Sequence, residues 1–353
     1  MKRTVKCFAA IAGALLLVVT AYVSYVLIDY HRVGNHVIAV SGEGEMAKTG
    51  TPYSVITYNI GFAAYTPDFG FFMDGGTESR AASAESVERV MAEIGGFLQE
   101  QNADFLMVEE VDLDSTRSYH IDQFSRLIWA LEDYNTVFAL NYDSPYLFYP
   151  ILEPHGKSTA GMMTASRLAM IDARRIELPV EDNLYKLLDC DRCYTICRVP
   201  VENGGELVIY TVHLSAYTSD GTVATEQLRL LLEDMQGEYE AGNYVVCGGD
   251  FNKDMLGDSS AVFGVSGEEY TWAQAFPEDV LEGSGIRIAE YDLSEPVPSC
   301  RNADGPYHEG QFVLTVDGFL VSENVQTEPA EVLDTGFAWS DHNPVKLQFT
   351  LLD

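Results

Sequence analysis

Apolar and polar positions change period several times along this chain, and each change marks an element. Cys7 to Ile28 is apolar with no charged side chain, long enough for a helix that crosses a hydrocarbon core. Residues 1–6 form a basic tip before it, which predicts a single-pass signal anchor with its N-terminus in the cytoplasm and the remainder extracytoplasmic. A cleaved signal peptide is the competing reading. Against it, the run is longer than a usual signal core and no small-x-small site closes it; Cys7 precedes the run, so there is no lipobox either. Residues 29–50, including Ser41-Gly42-Glu43-Gly44-Glu45, read as a stalk or linker. Residues 51–353 contain no second linker and no repeat, and read as one domain.

Within that domain Tyr53 to Ile60 alternates and is β-branched, which predicts a strand. A Gly- and Phe-rich loop, Gly61 to Gly76, follows. Val87, Val90, Met91, Ile94 and Leu98 recur at helical spacing, which predicts a helix over Ser83 to Gln101 capped by Ser83 or Ser86. Ala103 to Val108 is a short apolar strand that ends in Glu109-Glu110. A helix is expected over Ile121 to Leu131 and a strand over Gly161 to Ser166. Cys193 to Val201 and Glu206 to Leu214 form a hairpin joined at Asn203-Gly204-Gly205. Thr225 to Glu240 is an amphipathic helix, and the run from Val245 is a buried strand. Its two glycines, Gly248 and Gly249, are expected to turn the chain sharply. Phe312 to Val321 and Asn343 to Phe349 supply the last strands. Strands, helices and hairpins mixed in this way predict an α/β or α+β sandwich.

Composition adds constraints. A hydrophobic content of 47% over 353 residues is ample for a core. The 54 Asp and Glu against 21 Lys and Arg give a formal charge of −33, which argues against tight non-specific binding to duplex nucleic acid and against electrostatic docking on anionic lipid. The domain from residue 51 onward is expected to be monomeric. Six cysteines, at positions 7, 190, 193, 197, 247 and 300, are too few and too irregular for a zinc ribbon. Buried as thiols they would act as small hydrophobes, and a disulfide among the extracytoplasmic ones stays open.

The chemistry lies at the strand ends. Asn59 closes the first strand and Glu110 the second, His213 stands near the end of the hairpin's return strand, and Asp250 and Asn252 follow the Val245 run. Asp317 sits inside an apolar strand, where an unpaired charge is costly, and Asp341-His342 precede the last strand. Each has a bland reading: a turn residue for Asn59, a solvated strand end for Glu110, a hydrogen-bonded core histidine for His213. The same coincidence at several strand ends favours a site, because ligands bind at such ends in open sheets. Carboxylates with an Asn make a hard, oxygen-rich donor set, suited to Mg²⁺ or Mn²⁺ over zinc. Histidines beside carboxylates can move protons or contact phosphate. Neither a P-loop nor a serine nucleophile elbow is present.

The ordered blocks Thr57-Tyr58-Asn59, Val108-Glu109-Glu110-Val111, Ala165-Ser166-Arg167, Thr211-Val212-His213-Leu214, Gly249-Asp250-Phe251-Asn252, Val316-Asp317-Gly318-Phe319 and Ser340-Asp341-His342 resemble the endonuclease/exonuclease/phosphatase superfamily. The resemblance runs from about Thr51 to the C-terminus. It implies a four-layer sandwich, two mixed β-sheets packed face to face with helices outside, and a divalent-metal-dependent phosphoester hydrolase. By position, Glu110 resembles the main metal-binding carboxylate, with Asn59 and Asp341 beside it. Asp250 resembles the residue that orients the attacking water, and Asn252 a donor to a phosphate oxygen. His213 resembles the phosphate-contacting residue, and His342, steered by Asp317, a phosphate contact or proton acceptor. Glu109 stands where many relatives have Gln, and strand alternation faces it away from Glu110. Arg80, Arg117, Arg167 and Arg301 are candidate substrate contacts, since a guanidinium pairs well with phosphate. The expected substrate is a lipid-like or small phosphoester, with an anchored or secreted nuclease and an inactive binding module as the alternatives.

Overall fold

The computed structural model describes residues 2–187, 190–216, 222–266 and 274–353; Met1 of the basic tip lies outside the described residues. Among them the strands form two seven-stranded sheets and one two-stranded ribbon. The first sheet runs Val325–Thr327, Val345–Leu351, Pro52–Asn59, Phe105–Ser115, Ser158–Ser166, Asn135–Asp143, with Glu331–Val332 also on Val345–Leu351. The second runs His36–Ile38, Asp172–Glu177, Cys193–Pro200, Glu206–His213, Tyr244–Asp250, Asp317–Ser322, Ile286–Ile288. Each sheet is mixed, with a parallel pair at its centre: Pro52–Asn59 beside Phe105–Ser115, and Glu206–His213 beside Tyr244–Asp250.

Alternation along these strands builds three apolar layers. Val55, Met107, Leu347 and Phe349 of the first sheet meet Ile209, Val246, Phe319 and Val321 of the second in the seam between them. Ile56, Tyr58, Leu106 and Val108, on the other face of the first sheet, are covered by Val87, Val90, Met91, Ile94 and Leu98 of the helix Ala84–Gln101. Val208, Tyr210, Val245 and Cys247 are covered by Leu228, Leu231, Leu232 and Met235 of the helix Thr222–Glu240. The result is the expected helix, sheet, sheet, helix sandwich, with an apolar helix Lys2–Asp29 before it. Ser83 caps the first domain helix by accepting a hydrogen bond from the Ser86 N–H, as anticipated.

Four expectations need correction. The run 29–50 is not wholly a stalk: His36–Ile38 adds a strand to the second sheet, and Ala47 is fully buried beside Val201. Gly248 and Gly249 make no turn and stay in the strand Tyr244–Asp250. A Cβ on Gly248 would stand 2.6 Å from the Met107 sulfur of the facing sheet, and one on Gly249, whose φ is +148°, would stand 1.9 Å from the Val212 carbonyl oxygen. They are there for close approach of backbone and sheet. The strand after Ala103 does not end in the Glu109-Glu110 stretch but continues to Ser115 through a register shift between Val108 and Val111. The expected strand Phe312 to Val321 is broken into Val313–Leu314 and Asp317–Ser322.

Candidate active site

The polar cluster forms where the seam between the sheets runs out of apolar side chains. Asn59 continues the inward-facing series Val55 and Thr57, and Asp250 the series Val246 and Gly248. Asp317 lies directly across the ladder from Asp250, and His213 pairs with Asp250 on the other side. Glu110 reaches the same place by another route. Its φ of +57° at the register shift takes it out of strand alternation, which is how a bulge re-aims a side chain.

Asn59 joins the two sheets. Its Nδ2 donates to Glu110 Oε1 at 3.2 Å and to Asp250 Oδ2 at 3.1 Å, and its Oδ1 accepts from the Gly61 N–H. His213 Nε2 stands 3.6 Å from Asp250 Oδ2 and 4.0 Å from Glu110 Oε1. His342 Nε2 stands 3.9 Å from the same Asp250 oxygen, while its Nδ1 donates to Asp317 Oδ2 at 2.7 Å. Ser299 Oγ also donates to that Asp317 oxygen at 2.7 Å. Asn252 holds its amide against the Leu214 carbonyl, and its backbone N–H donates to Asp250 Oδ1. Asp341 lines the same cleft as Glu110, His213, Asp250, Asn252 and His342.

The electrostatics are one-sided. Burial, and for Asp250 the nearby Asp317 carboxylate, raises the pKa of Glu110, Asp250 and Asp341; Asp250 is pushed up to about 7. The two histidines diverge. Burial, with Arg192, His342 and Arg117 nearby, drops His213 well below the usual histidine range, so it is neutral. Burial also works against the His342 imidazolium, but Asp317 and Cys300 outweigh it and hold that pKa well above the usual range. One neutral and one cationic imidazole thus flank Asp250.

The arginines divide. Arg117 lines the cleft, stacked 3.9 Å over the Phe62 ring and paired with Asp112. Arg301 also lines it, but its guanidinium is committed to the carbonyls of Thr66, Phe69, Asn302 and Gly305, so it clamps two loops together. The structure does not bring Arg80 or Arg167 to the cleft. Arg80 donates to the Pro154 carbonyl, and Arg167 stacks on Tyr134 beside the opposite end of the strand pair. Arg192, Asn141 and Tyr142 line the cleft without having been expected there. They come from the end of Asn135–Asp143 and the loop before Cys193, and no spacing in the sequence ties them to the strand-end residues. Glu109, expected to face away from Glu110, does not point to water. It is wholly buried in the seam, accepts from Thr57 Oγ1 at 3.0 Å, and burial with Asp317 and Asp250 nearby raises its pKa well above normal.

The model of the Endonuclease/Exonuclease/phosphatase family matches residues 56–342, which span every one of these strand-end residues. The chain belongs to the endonuclease/exonuclease/phosphatase family. Members of this family are hydrolases acting on phosphoester bonds, typically with a divalent metal ion. Among solved structures, the chain is similar to an endonuclease/exonuclease/phosphatase from Beutenbergia cavernae DSM 12333, with a TM-score of 0.60 and 18% identity over 85% of this chain and 72% of that one. It is also similar to the human Nocturnin catalytic domain with bound sulfate, with a TM-score of 0.53 and 17% identity over 89% and 97%. ANGEL2, a 2',3'-cyclic phosphatase in complex with adenosine-2',3'-vanadate, gives a TM-score of 0.56 and 15% identity over 91% and 99%. At such identities the likeness is one of fold. No curated protein matches the chain.

The residues fit the family's metal ion on their own chemistry. Glu110, Asp250 and Asp341 crowd into a cleft where burial raises their carboxylate pKa values, and their donors are oxygens, as Mg²⁺ or Mn²⁺ prefers. Asp250, Asp317 and His342 also offer ligand atoms within 4.8 Å of one another. That trio suits a metal less well, because the His342–Asp317 contact is already a 2.7 Å hydrogen bond.

Proposed function

We propose that this protein is a divalent-metal-dependent phosphodiesterase or phosphatase, anchored in a membrane by its N-terminal helix with the catalytic domain outside. The convergence of Asn59, Glu110, His213, Asp250 and His342 within hydrogen-bond or near hydrogen-bond reach carries the reading. Glu110, with Asn59 and Asp341, would hold Mg²⁺ or Mn²⁺, which when bound withdraws charge from a phosphoryl oxygen. Asp250 orients the attacking water and takes its proton. His342, kept cationic by Asp317, faces the charge that develops on the phosphoryl group. His213 is neutral and contacts a phosphate oxygen through Nε2, and Asn252 supplies an amide donor beside it. Arg117, fixed by Asp112 and Phe62, and Arg192 are further cations lining the cleft.

Two solved relatives carry a sulfate or a vanadate ester of adenosine, which supports a phosphate-sized anion as the group recognised. The acidic surface favours a small or lipid-like phosphoester over duplex DNA. The anchor reading rests on Arg3–Asp29, whose mean hydropathy of 2.3 and near-complete exposure set it apart from a core helix.

The deciding experiment is hydrolysis of a chromogenic phosphodiester and a phosphomonoester in Mg²⁺, Mn²⁺ or EDTA. Activity should require metal, and Asp250→Ala and His342→Ala should each lower it at least ~10²-fold, the usual loss for a positioned acid–base group. Turnover that survives chelation and both substitutions would overturn the assignment.

A further inference from the structure

The loop between the strands Asn135–Asp143 and Ser158–Ser166 departs from the rest of this acidic surface. Residues 144–152 read Ser-Pro-Tyr-Leu-Phe-Tyr-Pro-Ile-Leu, with no charge, in a chain that is 21% charged. Phe148, Tyr149, Ile151 and Leu152 are 55%, 67%, 83% and 100% exposed. Contiguous exposed apolar side chains of this size mark a contact surface.

What covers it is indicated by its neighbour. The loop packs on the C-terminal part of the apolar helix: Tyr22 Oη donates to the Tyr146 carbonyl at 3.0 Å, and the Tyr146 N–H donates to Tyr25 Oη at 3.0 Å. The Tyr22 and Phe148 rings meet edge to face at 5.0 Å. Tyr22 lies six residues before Ile28, hence about 9 Å along the helix from the end of the apolar run at 1.5 Å per residue. A helix that spans the bilayer would therefore hold this loop at the depth of its outer interface, where tyrosines collect.

The loop is built for that depth. Leu147 and Gly156 exchange both backbone hydrogen bonds, the His155 N–H donates to the Tyr149 carbonyl, and the two helix tyrosines satisfy Tyr146. Backbone groups entering a bilayer need such partners. The uncharged stretch is bounded by the exposed Glu153 on one side and on the other by Asp143, which Lys157 bridges to Asp29 and which His31 meets. Ser79 and Arg80 fix the loop's far limb by donating to the carbonyls of Glu153 and Pro154.

We propose that Phe148, Tyr149, Ile151 and Leu152 insert into the outer leaflet interface beside the anchor helix, as a second membrane contact that fixes the orientation of the catalytic domain. This rests on the anchor reading. The orientation has a direction: the Tyr149 ring packs at a tilt against Phe72, Phe72 and Phe71 flank His155, and Phe71 lines the cleft. One aromatic surface thus runs from the inserted loop to the active site.

The test uses the full chain reconstituted in vesicles of zwitterionic phospholipid, with or without bromine on the upper acyl chain. Leu152→Trp and Ile151→Trp replace exposed side chains, and each is compared with the parent, which carries three tryptophans. The added emission in both variants should be blue-shifted and fall at least twofold in the brominated vesicles. Carbonate washing separates the two readings. Protein released by carbonate overturns the anchor, and this proposal with it. Carbonate-resistant protein whose added tryptophans emit as in water and escape the bromine overturns the loop insertion alone. Carbonate-resistant protein in which those tryptophans are shielded without quenching, and which forms dimers as density in the vesicle rises, assigns the patch to a second copy and also overturns it.

Discussion

Glu110 and Asp112 stand two residues apart on the same strand, and their surroundings differ in almost every respect. Asp112 is wholly buried and fully answered: Arg117 meets it through Nε and Nη2, Ser118 Oγ donates at 2.7 Å, and its own N–H is held by Gln123. Glu110 keeps 26% of its side chain exposed to the cleft and shares one amide, that of Asn59, with another carboxylate. The first is an ion pair completed by the fold. The second belongs to a buried carboxylate cluster with no salt bridge of its own to Lys or Arg among the described residues. A carboxylate's surplus or balance of partners therefore separates site from scaffold better than its burial does.

The largest effect that tests this contrast is on turnover. Glu110→Gln should lower kcat/KM about 10²–10³-fold, the scale for removing a group that stabilises developing charge, while the urea midpoint stays level or rises because an uncompensated carboxylate is gone. Asp112→Asn should do the reverse. Breaking a buried pair strands the Arg117 charge and should remove about 3–5 kcal/mol of stability, measured by urea unfolding, with a smaller effect on turnover. If both variants lose stability equally, the contrast fails.

The next effect is on stability against pH and metal. Glu110, Asp250 and Asp341 bind their protons more tightly folded than unfolded. The folded state therefore holds more protons between about pH 4, the unfolded carboxylate value, and about 7, the folded value of Asp250. Stability in EDTA should accordingly fall as pH rises across that window. Mg²⁺ should restore it, by about 2.7 kcal/mol at a hundredfold excess over Kd, and more strongly at pH 8 than at pH 6, as read by thermal melting. A melting temperature that climbs with pH in EDTA would contradict the burial-raised carboxylate pKa values.

The smallest effect sharpens the comparison within the site. In the proposed mechanism Asp250 acts as a carboxylate and should set the acidic limb of the rate profile, while His342 acts as a cation and should set the alkaline limb. Asp317→Asn removes the main support of the His342 imidazolium, so the alkaline limb should move toward lower pH, with turnover near neutrality reduced roughly tenfold, as for loss of an orienting partner. An unmoved alkaline limb would exclude Asp317 as the source.

Much of the fold could be read from period alone, because apolar alternation and helical spacing report directly on buried faces. Asn59, Asp250 and Asp317 were readable as a site for the same reason: each continues an inward-facing series to the point where apolar residues stop. Glu110 was readable as a carboxylate at a strand end, but not the route by which it reaches the cluster, since its φ of +57° breaks the alternation that local pattern assumes. The glycines of the Val245 strand were misjudged because a turn and a close sheet contact ask for the same missing Cβ. Asn135–Asp143 escaped notice because its burial alternates while its sequence, Asn-Thr-Val-Phe-Ala-Leu-Asn-Tyr-Asp, does not. Arg167 and Arg301 could not be told apart in sequence, since only the folded chain shows four carbonyls around one of them.

Asn59 has one further consequence. Its side-chain amide is held on one sheet by the Gly61 N–H, its backbone carbonyl accepts from Ser340 Oγ, and the amide grips Asp250 on the other sheet. The constellation is therefore divided between two slabs and works like a vernier: any sliding of one slab past the other misaligns the marks before either slab comes apart. Mild denaturant or heat should silence the protein while its far-ultraviolet circular dichroism is still that of the folded chain.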